Sequence, residues 1–182
     1  MAKRRSASLT GWRRQAVRRI AAARRSTLAF IARLPESEIL RPRTQDRWSV
    51  KDVLGHLQGC DEETVRRLKL IARGRADRIH WFHGMADADR FNARCVARAR
   101  RLRLPVLLRR MGRSHADLIT WLERLPPEAL DDPSHEYTVR QWLPAPGWSH
   151  EQDHLGEIRA WWRGQPRAQA RQRPSRRTAK RR

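Results

Sequence analysis

Residues 48–57 read W-S-V-K-D-V-L-G-H-L and carry the signals with which an α-helix begins. Ser49 is of the type that caps a helix N-terminus, and Asp52, three positions later, can complete a capping box with it. Apolar residues then recur at intervals of three and four as far as Ile71, which is the spacing of one face of a helix. His56 lies at the edge of that apolar face, so its side chain can reach into the interior of a helical bundle.

Two further amphipathic helices flank this one along the chain. The first covers about residues 17–34 and ends before Pro35. The other begins near Pro105 and stops at Pro126. Proline is tolerated in the first turn of a helix and ends a helix when it follows one, so these positions agree with both boundaries. A long, stiff connection rich in proline follows over residues 126–148.

A fourth main helix is expected at the C-terminal end of the bundle. It begins near Ser149, which we expect to be its N-cap, with Gln152 as the capping-box partner. A shorter helix, capped by Asp87, lies between the second and third main helices. No segment alternates apolar and polar residues as a half-buried strand does, so no sheet is expected. The sequence therefore predicts an all-α protein, a four-helix bundle with a short extra helix and long crossover connections.

Two histidines of the last helix, His150 and His154, stand four positions apart, and residues at that spacing share one face of a helix. Both imidazoles can therefore bind one metal ion. Packing the second helix beside the last one would bring His56 to the same point, and we choose it as the third ligand. The second choice is His115, on the inner face of the third helix. Three neutral imidazoles leave at least one coordination position open, as in catalytic sites, and suit zinc, nickel or iron.

Carboxylates lie beside these histidines in the sequence. Residues 150–154 match H-E-x-x-H, the signature of zinc peptidases, in which the glutamate acts as general base. Glu151 is accordingly the candidate catalytic residue, because it could orient a bound water or move a proton. Asp153 and Glu157 are candidate acceptors for the imidazole N–H groups, which would orient the rings.

The positive charge of the chain is concentrated at its two ends. The net charge is +22, but 18 of the 41 lysines and arginines lie in residues 1–25 and 163–182, which contain no acidic residue. We therefore divide the chain into a basic tail over residues 1–9, a bundle over 10–163 and a basic, disordered tail over 164–182. Such ends would bind polyanions weakly and in a salt-sensitive way.

Composition also limits where the protein works. The two cysteines, Cys60 and Cys95, form no C-x-x-C pair, so neither a disulfide scaffold nor a cysteine zinc site is indicated. A reducing, cytoplasmic location fits best. No apolar run of about 18 residues is present, so no transmembrane span is expected. The expected partners are a small-molecule substrate and, in a homodimer, a second copy of the chain.

Residues 48–57 resemble the W-S-V-K-D-V-L-x-H-L element of DinB-like four-helix bundle proteins. That family includes YfiT-type metal hydrolases and thiol-dependent maleylpyruvate isomerase and S-transferase relatives. Residues 142–144 and 150–161 resemble the last helix of the family and the segment before it, and residues 91–93, F-N-A, resemble a further recurring element. The resemblance covers about residues 10–163 and leaves both tails outside.

The resemblance implies an up-down-down-up bundle in which one histidine of the second helix and two of the last hold a metal ion. In this chain the corresponding residues are His56, His150 and His154. It also implies a low-molecular-weight thiol, such as mycothiol, bacillithiol or glutathione, as cosubstrate, with the metal favouring the thiolate form. No matched motif specifies a residue that binds the thiol. Candidate contacts are Arg140, Trp142 and Trp148.

Three functions remain open on the sequence alone. The first is a metal-dependent transferase, isomerase or hydrolase that acts on a small molecule. The second is a non-enzymatic bundle that binds nucleic acid or another acidic partner through its basic ends, although no recognition-helix motif is present. The third is a zinc peptidase based on H-E-x-x-H, which lacks both a clear downstream third ligand and a sheet edge to hold a peptide.

Overall fold

The computed structural model describes residues 2–43 and 48–165 and contains no β-strand within them. The helices of this part of the chain are α1 Ala2–Ile31, α2 Glu36–Leu40, α3 Val50–Ala72, α4 Met85–Arg100, α5 Leu104–Arg124, α6 Val139–Trp142 and α7 His150–Arg163. Two 3₁₀ turns, Ala76–Arg78 and Pro127–Asp131, and a π-helical turn, Ala145–Ser149, lie between them. The all-α prediction is confirmed, and the up-down-down-up order stays a prediction.

Helix α3 lies against α4, α5 and α7 and begins as its sequence predicts. Ser49 Oγ accepts a hydrogen bond from the backbone N–H of Asp52 at 3.1 Å, and the Asp52 carboxylate accepts one from the backbone N–H of Ser49 at 2.9 Å. The same carboxylate accepts two hydrogen bonds from Arg100, the last residue of α4. One acidic side chain thus caps α3 and ties it to the neighbouring helix.

Helix α4 approaches α3 closely because two residues of α3 lack a side chain. A Cβ atom at Gly55 would overlap the side chain of Ala99, and one at Gly59 would overlap the thiol of Cys95. The helix predicted to be a short extra element therefore covers one side of α3 at close range.

The core consists of two clusters of buried apolar residues joined by α3. The first cluster surrounds the N-terminal half of α3 and includes residues of α1, α5 and α7, among them Ile31, Leu54, Leu57, Met111 and Ile158. The second surrounds the C-terminal half and includes Ile20, Leu68, Leu118, Leu122 and Leu143. Between them α3 buries polar side chains, which need partners because burial of a polar group alone costs free energy. These are His56, Gln58, Asp61 and Thr64.

The connection between α5 and α7 packs onto the second cluster. The sequence predicts a long, stiff link over residues 126–148, and the structure gives it two short helical turns and α6. Leu130, Val139 and Leu143 are fully buried there. Their burial fixes the path by which the chain arrives at α7.

The predicted N-cap of α7 is wrong. Ser149 has helical backbone angles, and its hydroxyl donates a hydrogen bond to the carbonyl of Pro144 at 2.8 Å rather than accepting one from Gln152. The chain enters α7 through the π-helical turn Ala145–Ser149. Helical structure on both sides of Ser149 leaves no free first turn for a serine to cap.

The predicted cap of α4 is also wrong. This helix begins at Met85, after Gly84, whose φ of 142° is a value that glycine adopts readily. Asp87 lies inside the first turn, and its carboxylate accepts a hydrogen bond from the backbone N–H of His83 at 3.1 Å. Asp87 therefore accepts a hydrogen bond from a backbone N–H group that precedes the helix. The helix itself begins two residues before Asp87, so Asp87 is not its N-cap.

Helix α1 extends into the stretch assigned to the N-terminal tail. It begins at Ala2, and Leu9 is buried in the second core cluster. Most of the predicted C-terminal tail, residues 166–182, lies outside the described residues. The division into tails and bundle stays a prediction. None of the described helices is long and apolar enough to span a bilayer.

Candidate metal centre

Three imidazoles from two helices meet at one point. His56 lies in the second turn of α3, and His150 and His154 lie in the first two turns of α7. Nε2 of His56 and Nε2 of His150 are 3.3 Å apart, and one nitrogen from each of the three rings lies within 4.8 Å of the others. Within the described part of the chain, this is the group of three side chains that could hold a metal ion.

The separation of the nitrogens agrees with coordination of one cation. Two imidazole nitrogens that each bind zinc at about 2.0–2.1 Å with a tetrahedral angle lie about 3.3 Å apart. The same separation permits a direct hydrogen bond between His56 and His150. That bond, however, leaves Nε2 of His154 buried without a hydrogen-bond partner among the described residues. A cation between the three rings would bind this atom together with one nitrogen of each of the other two rings.

A hydrogen bond fixes the orientation of the third ring. Nδ1 of His154 lies 3.0 Å from a carboxylate oxygen of Glu157, one turn further along α7. A carboxylate only accepts, so the proton is on Nδ1 and the lone pair of His154 is on Nε2. Glu157 is a candidate acceptor on sequence grounds, and the structure shows this contact.

The environment of His56 and His150 favours the neutral imidazole, which is the form that binds metal. Burial, reinforced by the neighbouring rings of His150 and His154, lowers the pKa of His56 to about 3. Burial also lowers the pKa of His150, and the ring of His154 adds to that effect. Because desolvation disfavours a charged imidazolium, two of the three nitrogens offer lone pairs throughout the physiological range.

Aromatic and sulfur atoms surround His56. The ring of Trp48 lies 5.5 Å from it and that of Phe91 6.4 Å from it, measured between centroids. The thiol of Cys60, one turn further along α3, lies 3.7 Å from Nε2 of His56. Burial, together with the nearby acidic residues Asp61 and Glu63, raises the pKa of the Cys60 thiol, which therefore stays protonated.

A cavity of about 630 Å³ opens beside the three histidines. Its wall contains two of the ligands, several aromatic rings and a few polar side chains. The residues are His56, Cys60, Glu63, Thr64, Arg67, Trp81, Phe82, Ala88, Phe91, Asn92, Tyr137, Trp142, Ala145, Pro146, Ser149, His150 and Asp153. This volume is in the range that holds one small organic molecule.

A second cleft, of about 670 Å³, reaches the other side of the same group. Its lining includes His154 and Glu157 together with Trp48 and Trp161. Asn92 of α4 contributes to the walls of both spaces. The histidines therefore stand between two separate openings.

Glu151 lies away from the histidines. Its carboxylate accepts a hydrogen bond from Nε of Arg24 at 2.9 Å, and Arg24 donates through another nitrogen to Asp61 at 3.0 Å. All three side chains are at least nine-tenths buried. Neighbouring positions on a helix point in different directions, which is why the residue beside His150 faces α1. Its catalytic role stays a prediction, and the ion pair gives it a structural one.

This buried group contains one cation, Arg24, between two carboxyl groups, Asp61 and Glu151. Burial lowers the pKa of Arg24, but Asp61 and Glu151 outweigh it and leave the pKa above its ordinary value. Burial raises the pKa of Asp61 to about 6, although Arg24 opposes the rise. Ser114 of α5 also donates to Asp61 at 3.1 Å. Through these contacts the group joins α1, α3, α5 and α7.

Other candidates from the sequence lie outside the site or at its edge. His115 is not part of the histidine group, and its Nδ1 is buried without a partner among the described residues. Burial, reinforced by the positive charge of Arg24, lowers the pKa of His115 to about 4. Trp142 lines the cavity, whereas Trp148 packs against Arg19, and Arg140 pairs with Asp131.

Sequence analysis missed part of the cavity wall. Arg67, Trp81, Phe82 and Tyr137 all line it, and no motif points to any of them. Trp81 and Phe82 lie in the stretch between α3 and α4, whose sequence predicts only a loop. Two large aromatic residues in a loop are a signal that the loop packs against something, but they do not say against what.

Comparison with known proteins places the chain in a family. The family model of the DinB superfamily matches residues 19–158, which include α3, α5, most of α7 and all three histidines. No curated protein and no solved structure matches the chain. The match covers well over half of the sequence, and the chain therefore belongs to the DinB superfamily.

Proposed function

We propose that this protein is a metal-dependent enzyme that acts on a small molecule, with a low-molecular-weight thiol as cosubstrate, in a transferase, isomerase or hydrolase reaction. The observation that supports it is the convergence of three imidazoles, two of which line a cavity large enough for an organic ligand. Membership of the DinB superfamily supports the same reading.

The residues that would hold the ion are His56, His150 and His154, and an all-imidazole set suits zinc, nickel or iron. When bound, a divalent cation supplies Lewis acidity, which favours the thiolate form of a coordinated thiol or polarises an oxygen. Three protein ligands leave room for such a group. Glu157 holds the ring of His154 in the orientation that binding needs.

The cavity wall supplies surfaces that can position a ligand. Phe91 and Trp142 offer apolar faces on which a ligand can pack. Asp153 is the carboxylate of the wall that lies nearest to His150 in sequence, so we assign it as the candidate group that takes or gives a proton.

The geometry does not favour the peptidase alternative. In H-E-x-x-H peptidases the glutamate serves as general base. Here Glu151 is 3% exposed and paired with Arg24, on a different side of α7 from the histidines. The sequence matches the peptidase pattern, but its glutamate is paired with Arg24 and is not available as a general base beside the histidines.

Metal analysis tests the proposal. Purified protein dialysed with zinc should retain about one ion per chain, because one three-ligand site is proposed. His56→Ala and His154→Ala should each lose it, and His115→Ala, a half-buried histidine outside the group, should keep it. Elemental analysis gives the metal content, and far-UV circular dichroism shows whether the helices remain. Full metal content in both ligand variants would refute the assignment.

Activity is tested on the metal-loaded protein. Loss of free thiol from mycothiol, bacillithiol or glutathione, offered together with electrophilic acceptors, should be faster with the loaded wild type than with His56→Ala. A rate equal to that of the variant for every thiol would leave the metal site without the proposed cosubstrate.

A further inference from the structure

Arg67 stands in the wall of the same cavity, on α3, eleven positions after His56. We propose that Arg67 binds a carboxylate of the molecule that occupies this cavity, so that the ligand is an elongated organic anion with its reacting end at the histidines. The inference deepens the proposed function and rests on it, since it names the chemical class of the ligand of that site.

The side chain of Arg67 is held on one side only. Its Nε donates to a carboxylate oxygen of Glu63 at 2.9 Å. Its guanidinium lies over the ring of Trp81 at 4.6 Å, and the rings of Phe82 and Trp142 stand at 5.2 and 5.8 Å. Aromatic faces orient a guanidinium but accept no hydrogen bond in its plane, so they leave its terminal N–H groups available.

The charge of Arg67 is only partly compensated. Glu63 also accepts two hydrogen bonds from Arg66, each 2.7 Å long, so one carboxylate serves two guanidinium groups. Burial raises the pKa of Glu63, but the hydrogen bonds from Arg66 and Arg67 outweigh it, and the carboxylate stays ionised. The three side chains together carry one excess positive charge.

The terminal nitrogens of Arg67 are available to a ligand. Among the described residues, the side chain donates one hydrogen bond, from Nε to Glu63, and Nη1 and Nη2 are not among the buried atoms that lack a partner. These nitrogens therefore remain accessible, and a planar carboxylate matches the fork of a guanidinium in shape and charge. The cavity is the space from which such a group can arrive, because Arg67 is part of its wall.

The position along α3 sets the length of the ligand. Eleven residues of helix separate the Cα atoms of His56 and Arg67 by about 16 Å, and helical side chains lean toward the N-terminus, which brings the guanidinium back toward the histidines. Phe82, Phe91 and Tyr137 lie in the same wall and offer apolar surface to the middle of the ligand. The expected ligand therefore has a carboxylate, an apolar body and a reacting group in that order.

Binding to metal-free protein tests the inference independently of the metal. The probes are 5-phenylpentanoate and its neutral amide, which differ in charge and share shape, and isothermal titration calorimetry gives both dissociation constants. Wild type should bind the acid about tenfold more tightly or better, as expected for a charged hydrogen bond. Arg67→Met should lose this preference. Arg66→Met, the matched control that also removes a partner of Glu63 but lies outside this cavity, should keep it.

Two results would overturn the inference. One is equal affinity of the wild type for acid and amide, including absence of binding by both, which can be read even if Arg67→Met does not fold. The other is a preference for the acid that persists in folded Arg67→Met, because the carboxylate would then have another receptor.

A second arm identifies which molecule carries the carboxylate. On zinc-loaded protein, 6-mercaptohexanoate is compared with 6-mercaptohexanol. If Arg67→Met removes a preference for the mercaptoacid, the carboxylate belongs to the thiol cosubstrate; if it affects only 5-phenylpentanoate, the carboxylate belongs to the substrate. Protein that binds no zinc but still prefers 5-phenylpentanoate would defeat the proposed function and leave the assignment of Arg67 intact.

Discussion

Glu157 is largely exposed, and yet it controls the nitrogen through which His154 can bind a cation. Its carboxylate accepts a hydrogen bond from Nδ1–H and so leaves the lone pair on Nε2, which is buried without a hydrogen-bond partner among the described residues. Groups that orient ligands in this way contribute to metal affinity almost as the ligands do. If the three histidines hold an ion, the groups that determine its affinity include Glu157, one turn beyond His154.

Replacement of Glu157 by alanine should lower zinc affinity about 10–100-fold, because the ring of His154 then loses its fixed tautomer and orientation. Glu157→Gln should show a smaller loss of zinc affinity, because its amide oxygen can still accept the hydrogen bond from His154 Nδ1–H. Competition with a chromophoric chelator measures both. Glu123→Ala, an exposed glutamate on α5, is the control and should bind zinc as the wild type does. Unchanged affinity in Glu157→Ala would show that the hydrogen bond is incidental.

The three histidines could be found from sequence because spacing on a helix is a local property. Two positions four apart share a face wherever the helix goes, and His56 lies on the edge of an apolar stripe that had to turn inward. Glu151 could not be placed in the same way. Its partner Arg24 lies 127 positions away on α1, and no local sequence pattern near residue 151 predicts this pairing.

At the scale of elements, the packing of α4 on α3 depends on two glycines. Gly55 and Gly59 stand one turn apart and face Ala99 and Cys95 at a distance that admits no Cβ atom. Helix α4 can therefore bring Phe91 and Asn92 to the cavity wall. The sequence did not reveal this role, because a glycine inside a helix is read first as a weak point.

Gly55→Ala should destabilise the protein by about 1–3 kcal/mol, the usual cost of an added methyl group in a packed core. Gly112→Ala is the matched control. Gly112 also lies within a helix, but a Cβ there meets nothing within 4 Å, so this variant should be neutral or gain up to about 1 kcal/mol from helix propensity. Urea unfolding followed by circular dichroism compares them. Equal stability of the two variants would mean that α4 adjusts freely.

Helix starts could be predicted with uneven success for a physical reason. At α3, Ser49 and Asp52 are both available and the chain before them is extended, so the capping box forms. At α7, the same pattern of Ser149 and Gln152 fails because the preceding residues are already helical. A capping motif shows only that its side chains are able to cap a helix. Whether the first turn has unpaired backbone N–H groups to cap depends on the conformation of the residues before it.

At the scale of the whole molecule, positive charge is concentrated near the C-terminal end of the sequence. Residues 166–182 carry eight lysines and arginines and no acidic residue, and the described helices carry most of the acids. Polyanion binding can therefore be tested without disturbing the histidine site. The N-terminal basic stretch does not offer the same separation, because Leu9 of α1 is part of the core.

Removal of residues 166–182 should weaken binding to duplex DNA and flatten its salt dependence, by about 0.9 in the logarithmic slope for each phosphate that the shortened chain no longer neutralises. A full-length variant with these eight basic residues changed to glutamine separates charge from length and should behave like the truncation. Fluorescence anisotropy over a range of salt concentrations gives the slopes, and zinc content should be unchanged. A slope equal to that of the wild type would show that basic residues outside 166–182 bind the polyanion.

The buried group of Arg24, Asp61 and Glu151 constrains how this sequence can change over time. Loss of Arg24 leaves two carboxylates inside the protein without their counterion, at a cost of about 3–5 kcal/mol, which is a large part of the stability of a domain of this size. Positions 24, 61 and 151 should therefore covary with one another during evolution. They should vary independently of the histidines on either side of Glu151. The resemblance to a peptidase pattern then has a simple origin: the proposed metal ligands, His150 and His154, and a carboxylate paired with Arg24, Glu151, occupy neighbouring positions in the sequence.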